Sequence, residues 1–189
     1  MSNKVFAIVI LVLVAGFGGY IVISQSSKPK EATVGIQHKE QGKNHIAQGQ
    51  THEPYNSSPA SSGSHYADAN APTPWGVYTQ EVPEEVFLHN EEHGGVIITY
   101  KPDLPKNQLK KLQKLFAPPY SNQDFKPNKA IVTPRSKNTK AIELASWRWT
   151  LSLGQYDEAA IMKFYLQHVG KSPEPGAGPT NRPIDQARE

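Results

Sequence analysis

Residues 83–100 read PEEVFLHNEEHGGVIITY, and the change of pattern within this stretch decides the fold. Its first part is typical of a helix, because a proline followed by two glutamates favours a helix N-terminus and Gly94 suits a helix end. Residues 96–100 are apolar and β-branched, which predicts a buried strand. We therefore predict a short helix over residues 86–93 that leads directly into a strand. An extended segment over residues 86–88, with the histidines in a turn, is the alternative.

Downstream of this strand, the pattern predicts two more helices and two more strands. Leucines and Phe116 at helical spacing predict a helix that opens after residues 101–105 and closes at Pro118. Asp157 is a favourable N-cap for a last helix, which Gly170 ends. The predicted strands are residues 130–133 and 141–151, the second with one face formed by Ala145, Trp147, Trp149 and Leu151.

This order of elements predicts an α/β fold, with α+β as the alternative. The elements form a small strand–helix–strand–strand–helix layer, preceded by a long packed loop over residues 53–75. The first two strands should run parallel through a right-handed crossover, and residues 141–151 should pair antiparallel beside them. The arrangement is loosely thioredoxin-like, but the chain contains no cysteine and therefore no redox pair. The likeness carries no function.

The chain divides into five predicted segments. They are a short tail (1–4), a transmembrane helix (5–23), a flexible linker (24–44), a globular domain (45–172) and a loose tail (173–189). The transmembrane run carries no charge and is long enough to cross a hydrocarbon core of about 30 Å. It lacks the small-residue exit of a cleaved signal peptide, which is the alternative. We expect a single-pass protein of the cell membrane whose domain is extracytoplasmic.

The charge of the chain is mildly positive, with a net value of +3 and a pI near 9.0. Four lysines lie on one predicted helix, where a solvated face is the simplest explanation: Lys106, Lys110, Lys111 and Lys114. No aromatic residues alternate with them, which argues against a nucleic-acid partner. The membrane, through the N-terminal helix, is thus the partner that the sequence predicts, and no protein partner is indicated.

Three segments carry a family resemblance: residues 61–66 (SSGSHY), 74–78 (PWGVY) and 89–96 (HNEEHGGV). In this order they resemble the domain-of-unknown-function family numbered thirty-one-oh-five, a group of membrane-anchored bacterial and archaeal proteins. The likeness extends over residues 43–175. The sequence departs from the family pattern at Ala60 and Ser64, where the family tends to have proline, and at Glu91, where it tends to have leucine. The resemblance implies a grouping and an N-terminal anchor, but no particular reaction.

The histidines of these segments predict a divalent metal site. Neutral imidazole is a common ligand of zinc and copper, and His89 and His93, four residues apart on a helix, should face the same way. His65 lies in the loop that matches the family pattern and is the predicted third ligand. Glu92 or His45 could complete a tetrahedron. Zn²⁺ or Cu²⁺ fits this donor set best, and metal binding is the function that we favour from the sequence.

Other functions stay open. The histidines could be hydrogen-bonding struts that pin the long loop to the strand, in a non-catalytic binding or scaffold module. His89-x-x-Glu92-His93 also matches the inverted zinc-peptidase pattern, with Glu92 as the base that activates zinc-bound water. That hydrolase needs a further ligand, for which Glu143 is the candidate on a regular element. A serine hydrolase built on Ser62 lacks the nucleophile-elbow context, so the sequence leans away from an enzyme.

Overall fold

The computed structural model describes residues 32–68, 70–118 and 128–176. The described residues from Val34 onward belong to one compact unit. Their helices and strands follow in the order β1 (Ile36–Gln37), β2 (His45–Ile46), β3 (His65–Tyr66), β4 (Gly76–Val77), α1 (Glu84–Glu92), β5 (Val96–Tyr100), α2 (Lys106–Phe116), β6 (Ala130–Pro134), β7 (Ile142–Ser146), β8 (Trp149–Leu153) and α3 (Glu158–His168).

Six of these strands form one mixed sheet in the order β1-β8-β7-β5-β6-β4, and β2 and β3 form a separate pair. Strands β5 and β6 run parallel and are joined by α2, whereas β7 lies antiparallel on the other side of β5. The predicted α/β character is confirmed in this form, as a mixed sheet combined with helices. The predicted pairing of the first two strands and the antiparallel neighbour is confirmed as well.

Strand β5 lies inside the sheet, and all five of its residues are buried. Alternate side chains of a strand point to opposite faces. Val96 and Ile98 belong to a core that includes residues of α2 and α3. Ile97 belongs to a second core, together with Phe87 and Leu88 of α1. Because both faces are covered, the strand is apolar along its whole length instead of alternating.

The predicted helix–strand junction at the start of this strand is confirmed. Helix α1 ends at Glu92, one residue before the predicted end, and begins at Glu84. Gly94 then adopts a φ of +82°, a conformation that glycine reaches without strain. The alternative of an extended segment over residues 86–88 is wrong.

The predicted single strand over residues 141–151 is also wrong, because the chain turns back inside it as the β7–β8 hairpin. Ser146 pairs with Trp149 across a two-residue turn, in which Arg148 has a φ of +68°. Trp147 and Trp149 consequently pack into different cores instead of sharing a face. No glycine, asparagine or proline marks the turn, so the strand pattern continues through it unbroken.

Residues on both sides of the predicted domain make backbone contacts with it. Ile36 and Gln37 lie in the predicted linker (24–44), yet they pair with β8 at the edge of the sheet. In the predicted loose tail, the backbone N–H of Glu174 donates to the carbonyl of Glu92 at 3.0 Å. Both attachments use backbone groups, which every sequence possesses, so the polar composition of the two segments conceals them.

The predicted transmembrane helix, residues 5–23, lies outside the described residues. Within the part of the chain that is described, no helix combines the length and hydropathy that are needed to cross a bilayer. The anchor stays a prediction.

Candidate metal centre

Helix α1 carries two of the candidate ligands. His89 and Glu92 lie three residues apart and therefore project from neighbouring positions of the helix surface. Glu84 and Glu85 lie in the first turn, where negative charge interacts favourably with the helix dipole. The second half of the helix is buried throughout, so both candidate side chains are enclosed by the protein.

The β2–β3 pair carries two further candidates. These strands run parallel, in a register that places His45 directly beside His65. Paired residues of neighbouring strands project from the same face, so the two imidazoles lie together. The backbone N–H of His65 donates to the carbonyl of Asn44 at 3.0 Å, which holds the register. Strand β3 in turn packs against α1, and the four side chains meet there.

We call His45, His65, His89 and Glu92 the histidine cluster, because one ligand atom of each lies within 4.8 Å of the others. The ring centroid of His45 is 4.9 Å from that of His65 and 4.9 Å from that of His89, and the latter two are 5.1 Å apart. Glu92 Oε2 lies 3.1 Å from Nε2 of His45 and 3.1 Å from Nε2 of His65. Three imidazoles and a carboxylate this close could hold a metal ion.

Backbone carbonyls orient two of the rings. His65 Nδ1 donates to the carbonyl of Gly63 at 2.9 Å, and His89 Nδ1 donates to the carbonyl of Tyr66 at 2.7 Å. Because a carbonyl oxygen only accepts, Nδ1 carries a proton in both rings. Nε2 of each neutral ring therefore keeps its lone pair, as metal binding requires. Acceptors placed behind metal-binding histidines are a common outer-shell arrangement.

Burial favours the neutral form of the same two rings. His65 is completely buried and His89 is 6% exposed. Loss of water lowers the pKa of both histidines below 6.5, although the carbonyl that accepts from each Nδ1 acts in the opposite direction. The side chain of His45, in contrast, is 48% exposed and forms the solvent edge of the histidine cluster.

A second group of ligand atoms adjoins the cluster and shares Glu92 with it. Glu92, His93 and Glu174 each offer one atom within 4.8 Å of the others. The ammonium of Lys43 lies 2.6 Å from Glu174 Oε1 and 3.8 Å from Glu92 Oε1. The hydrogen bond between Lys43 and Glu174 raises the pKa of the lysine and lowers that of the glutamate.

The structure does not place all predicted ligands in one set. His65 and His89 converge with Glu92, but the histidine that joins them is His45 and not His93. His93 is the C-cap residue of α1, and its N–H still donates to the carbonyl of His89 at 3.2 Å, so the two positions remain neighbours at the end of the helix. The ring of His93 lies beside that of His89, with centroids 4.8 Å apart, and belongs to the adjoining group.

The residues that the hydrolase alternatives need are engaged elsewhere. Glu143 Oε1 accepts from the backbone N–H groups of Thr139 and Lys140, both at 3.0 Å. It belongs to neither group of ligand atoms among the described residues, so the inverted zinc-peptidase pattern gains no further ligand from it. Ser62 Oγ accepts from the backbone N–H of Gln41 at 3.1 Å, which is a structural contact.

Lys43 and Glu174 are the site residues that sequence reasoning missed. One lies in the predicted linker and the other in the predicted loose tail. They come together because the backbone on either side of Lys43 bonds to Gly63 and His65, whereas Glu174 bonds to the end of α1, and no motif or periodicity indicates this. Glu174 is positioned by its own backbone bond to Glu92 and by Lys129, whose ammonium donates to the carbonyl of Pro175 at 2.7 Å.

Fold and site together define the class of the protein as an α/β-like domain with a histidine–glutamate cluster that could hold a metal. Membership of this class does not imply a particular reaction. Residues 45–181 match the family model described as "Protein of unknown function (DUF3105)". The chain belongs to this family, which confirms the resemblance. No curated protein and no solved structure matches the chain.

Proposed function

We propose that this domain binds one Zn²⁺ or Cu²⁺ ion through the histidine cluster. The contact between His65 and Glu92 is the observation that carries the proposal. His65 Nε2 lies 3.1 Å from Glu92 Oε2 in the protein interior, while Nδ1 of the same ring already donates to a carbonyl. In the neutral ring, the Nε2 lone pair would face a carboxylate oxygen at hydrogen-bond distance. A cation between the two atoms removes this repulsion.

A metal ion relieves the repulsion between His65 Nε2 and Glu92 Oε2 better than a proton on His65 does. A proton on His65 Nε2 would create an imidazolium in a fully buried place, where loss of water lowers the pKa of the ring. Two nitrogen atoms, His65 Nε2 and His45 Nε2, each lie 3.1 Å from Glu92 Oε2. A proton on His65 would bridge only the first of them to this oxygen. A divalent ion interacts with all four members of the cluster at once.

The donor set indicates which ion the cluster would bind and what role that ion would have. Three nitrogens and one oxygen suit Zn²⁺ in a tetrahedron, and imidazole also suits Cu²⁺. Four protein ligands fill a tetrahedral site and leave no position for a reacting water, which is the pattern of structural zinc sites. The ion would join β2, β3 and α1, so we assign it a stabilising role and assign the domain no hydrolytic reaction.

Metal content tests the proposal directly. Untagged protein should contain or take up one equivalent of Zn²⁺ or Cu²⁺ per chain, measured by elemental analysis and titration calorimetry. An ion held at 100 times its Kd should stabilise the fold by about 2.7 kcal/mol, seen as a higher Tm. His65→Ala and His89→Ala should weaken binding by more than the roughly 10–100-fold that loss of an outer-shell partner costs.

His168→Ala is the matched control for these variants. His168 is also a buried histidine, and its Nε2 donates to the carbonyl of Val34 at 2.8 Å, but it lies on α3 outside the cluster. Its removal should lower the Tm of the metal-free protein and leave the metal stoichiometry unchanged. Metal-free protein whose Tm does not respond to Zn²⁺ or Cu²⁺ would contradict the proposal.

A second candidate function is a non-catalytic binding or scaffold module with structural histidines. The bond from His89 to the carbonyl of Tyr66 favours it, because it pins the long loop to α1 whether or not an ion is present, while the bond from His65 to the carbonyl of Gly63 stabilises the loop itself. In that case the alanine variants should lose stability, while titration with Zn²⁺ or Cu²⁺ gives no binding heat in either variant or wild type.

We also propose that the domain is anchored at the cell membrane with an extracytoplasmic orientation. The uncharged run of residues 5–23 supports an anchor, and the long domain that follows this run is the part that we propose to be exported. The protein should sediment with membranes and resist extraction by high salt. Protease added to intact cells with a permeable outer layer should degrade the domain, and a protected domain would contradict the orientation.

A further inference from the structure

The two oxygens of the Glu92 carboxylate face different partners. Oε2 faces the histidine cluster, whereas Oε1 is buried and has no hydrogen-bond partner within the described part of the chain. The side chain is 1% exposed, so water does not solvate this oxygen. A buried carboxylate oxygen without a hydrogen bond is costly unless a cation lies near it. Near Oε1 lie the other two members of the adjoining group, His93 and Glu174, together with the ammonium of Lys43.

This adjoining group is built by contacts that hold Glu174 in place. The backbone N–H of Glu174 donates to the carbonyl of Glu92 at 3.0 Å, and its own carbonyl accepts from His93 Nδ1 at 3.3 Å. Lys129 Nζ donates to the carbonyls of His93 and Pro175, at 3.0 and 2.7 Å. The carboxylate of Glu174 is therefore presented to Glu92 by a segment that is fixed to the protein at several points.

A cation already stands between the two carboxylates. Lys43 Nζ lies 2.6 Å from Glu174 Oε1 and 3.8 Å from Glu92 Oε1. Only the first of these distances is a hydrogen bond, so the ammonium compensates the charge of Glu92 without hydrogen-bonding to it. The lysine side chain is 48% exposed and that of Glu174 is 41% exposed, which leaves the ammonium free to move into solvent.

We propose that Glu92, His93 and Glu174 form a second divalent-cation site, in which the Lys43 ammonium is exchanged for the ion. The Glu92 carboxylate bridges the two positions, Oε2 to the histidine cluster and Oε1 to the second site. The bridge rests on the proposed function, although the second site has ligands of its own. One imidazole and two carboxylates form a harder donor set than the cluster, which Zn²⁺ and Mn²⁺ both accept. Carboxylate-bridged pairs of this kind place two ions about 3.5–4 Å apart.

The charges of this site favour a divalent ion over the ammonium. Two carboxylates share a single ammonium in this group, and one of their oxygens is buried without a hydrogen bond. A divalent ion supplies twice the charge and binds oxygen at about 2.0–2.2 Å, closer than any ammonium can approach. The displaced ammonium regains its hydration, since the lysine lies at the surface. Lys43 therefore sets the affinity of the second site, and removing its charge should strengthen ion binding there.

Stoichiometry in Lys43→Met tests the proposal, because methionine keeps an unbranched side chain and removes the charge. Titration calorimetry and equilibrium dialysis with Zn²⁺ should give two ions per chain in Lys43→Met. The ion at the second site should bind at least about tenfold more tightly than in wild type, a difference of about 1.4 kcal/mol. Glu174→Gln in the Lys43→Met background should remove that ion alone. Lys39→Met, at another exposed lysine of the same segment, is the control and should bind as wild type does.

The outcomes separate this proposal from the first one. If Lys43→Met binds one ion, which His65→Ala removes and Glu174→Gln does not, the second site is refuted and the first stands. If Lys43→Met binds one ion, which Glu174→Gln removes and His65→Ala does not, the second site stands without the first. If no variant binds Zn²⁺ although circular dichroism shows each to be folded, both proposals are refuted.

Discussion

Glu91 and Glu92 are neighbours on α1 and both are fully buried, yet their carboxylates lie in different surroundings. Glu92 faces histidines and a lysine, whereas neither oxygen of Glu91 has a hydrogen-bond partner among the described residues. Burial, with a smaller contribution from the negative charge of Glu84, raises the pKa of Glu91 well above its ordinary value. Glu91 is therefore held as a neutral acid, at the position where the family pattern tends to have leucine.

Replacing this side chain should stabilise the protein. Glu91→Leu removes a buried polar group without partners, which is worth about 1–3 kcal/mol, and we expect a correspondingly higher free energy of unfolding in urea. Glu53→Leu, at an exposed glutamate, is the control and should change stability little. A Glu91→Leu protein less stable than wild type at pH 7 would show that the carboxyl has a partner or role.

The pH dependence of this effect has a definite sign. Because the folded-state pKa lies above the ordinary value of 4.5, the folded chain retains a proton that the unfolded chain releases. The contribution of Glu91 to the free energy of unfolding is therefore fully present below pH 4.5, and it declines as the pH rises toward the folded-state pKa. The advantage of Glu91→Leu should grow over the same range, and urea titrations at several pH values measure it. An advantage that is constant with pH would contradict the raised pKa.

At the scale of elements, the junction between α1 and β5 holds the site in position. Gly94 has a positive φ, which lets the helix turn into the strand within two residues. Its Cα also faces the backbone of Gly170, which leaves no room for a side chain. Gly95 donates its N–H to the carbonyl of Asn90 at 2.8 Å and lies directly against the Trp75 ring. The junction thus ties the long loop to the helix that carries His89 and Glu92.

Gly95→Ala should disrupt this junction. A methyl group there would press into the Trp75 ring and lie 2.8 Å from the carbonyl oxygen of Asn90, which overpacks the junction. We expect a loss of about 1–3 kcal/mol in the free energy of unfolding, together with weaker metal binding. Gly154→Ala is the control, because a methyl group at that position meets no atom within 4 Å. Equal melting temperatures for the two variants would refute the close contact with Trp75.

At the scale of the whole molecule, segments distant in sequence complete the domain. The backbone N–H of Val34 donates to Gln167 Oε1 at 2.7 Å, and its carbonyl accepts from His168 at 2.8 Å. The N–H of His38 donates to the carbonyl of Arg148 at 2.8 Å, in the turn of the β7–β8 hairpin. The N-terminal segment is thus attached at two places, one on α3 and one at the edge of the sheet.

A fragment that begins at His45, where the sequence predicts the domain to begin, should be less stable than one that begins at Ala32. The three hydrogen bonds just named are lost together with others of residues 36–44, such as that from His65 N–H to the carbonyl of Asn44. At about 0.5–1.5 kcal/mol each, three bonds alone contribute roughly 1.5–4.5 kcal/mol, so we expect the free energy of unfolding to fall by at least this amount. Urea unfolding of the two fragments measures this. A third fragment, beginning at Lys39, retains Lys43 and separates the loss of β1 from the loss of the lysine. Three fragments of equal stability would contradict the role of the segment.

The sequence predicts the features that residues impose on their own backbone, and it does not predict those that depend on contacts between distant segments. The helix–strand junction was predictable, because proline, glutamates, glycines and β-branched residues each act on their own backbone. The β7–β8 turn was not, because Trp147 and Arg148 resemble strand residues and the turn is held from outside, by the bond from Arg148 N–H to the carbonyl of Ser61 at 2.6 Å. The histidines were recognisable as candidates by residue type, but their grouping was not.

The sequence by itself determined the order of α1, β5, α2, β6 and α3, the buried character of β5 and the family to which the chain belongs. These follow from side-chain patterns that act over a few residues. Only the tertiary structure decided that His45, and not His93, joins His65 and His89, and that Lys43 and Glu174 meet beside Glu92. The physical reason is that a two-residue parallel pair and two polar terminal segments are positioned by backbone hydrogen bonds. Backbone groups are the same in every residue except proline, so the sequence does not reveal which of them will pair.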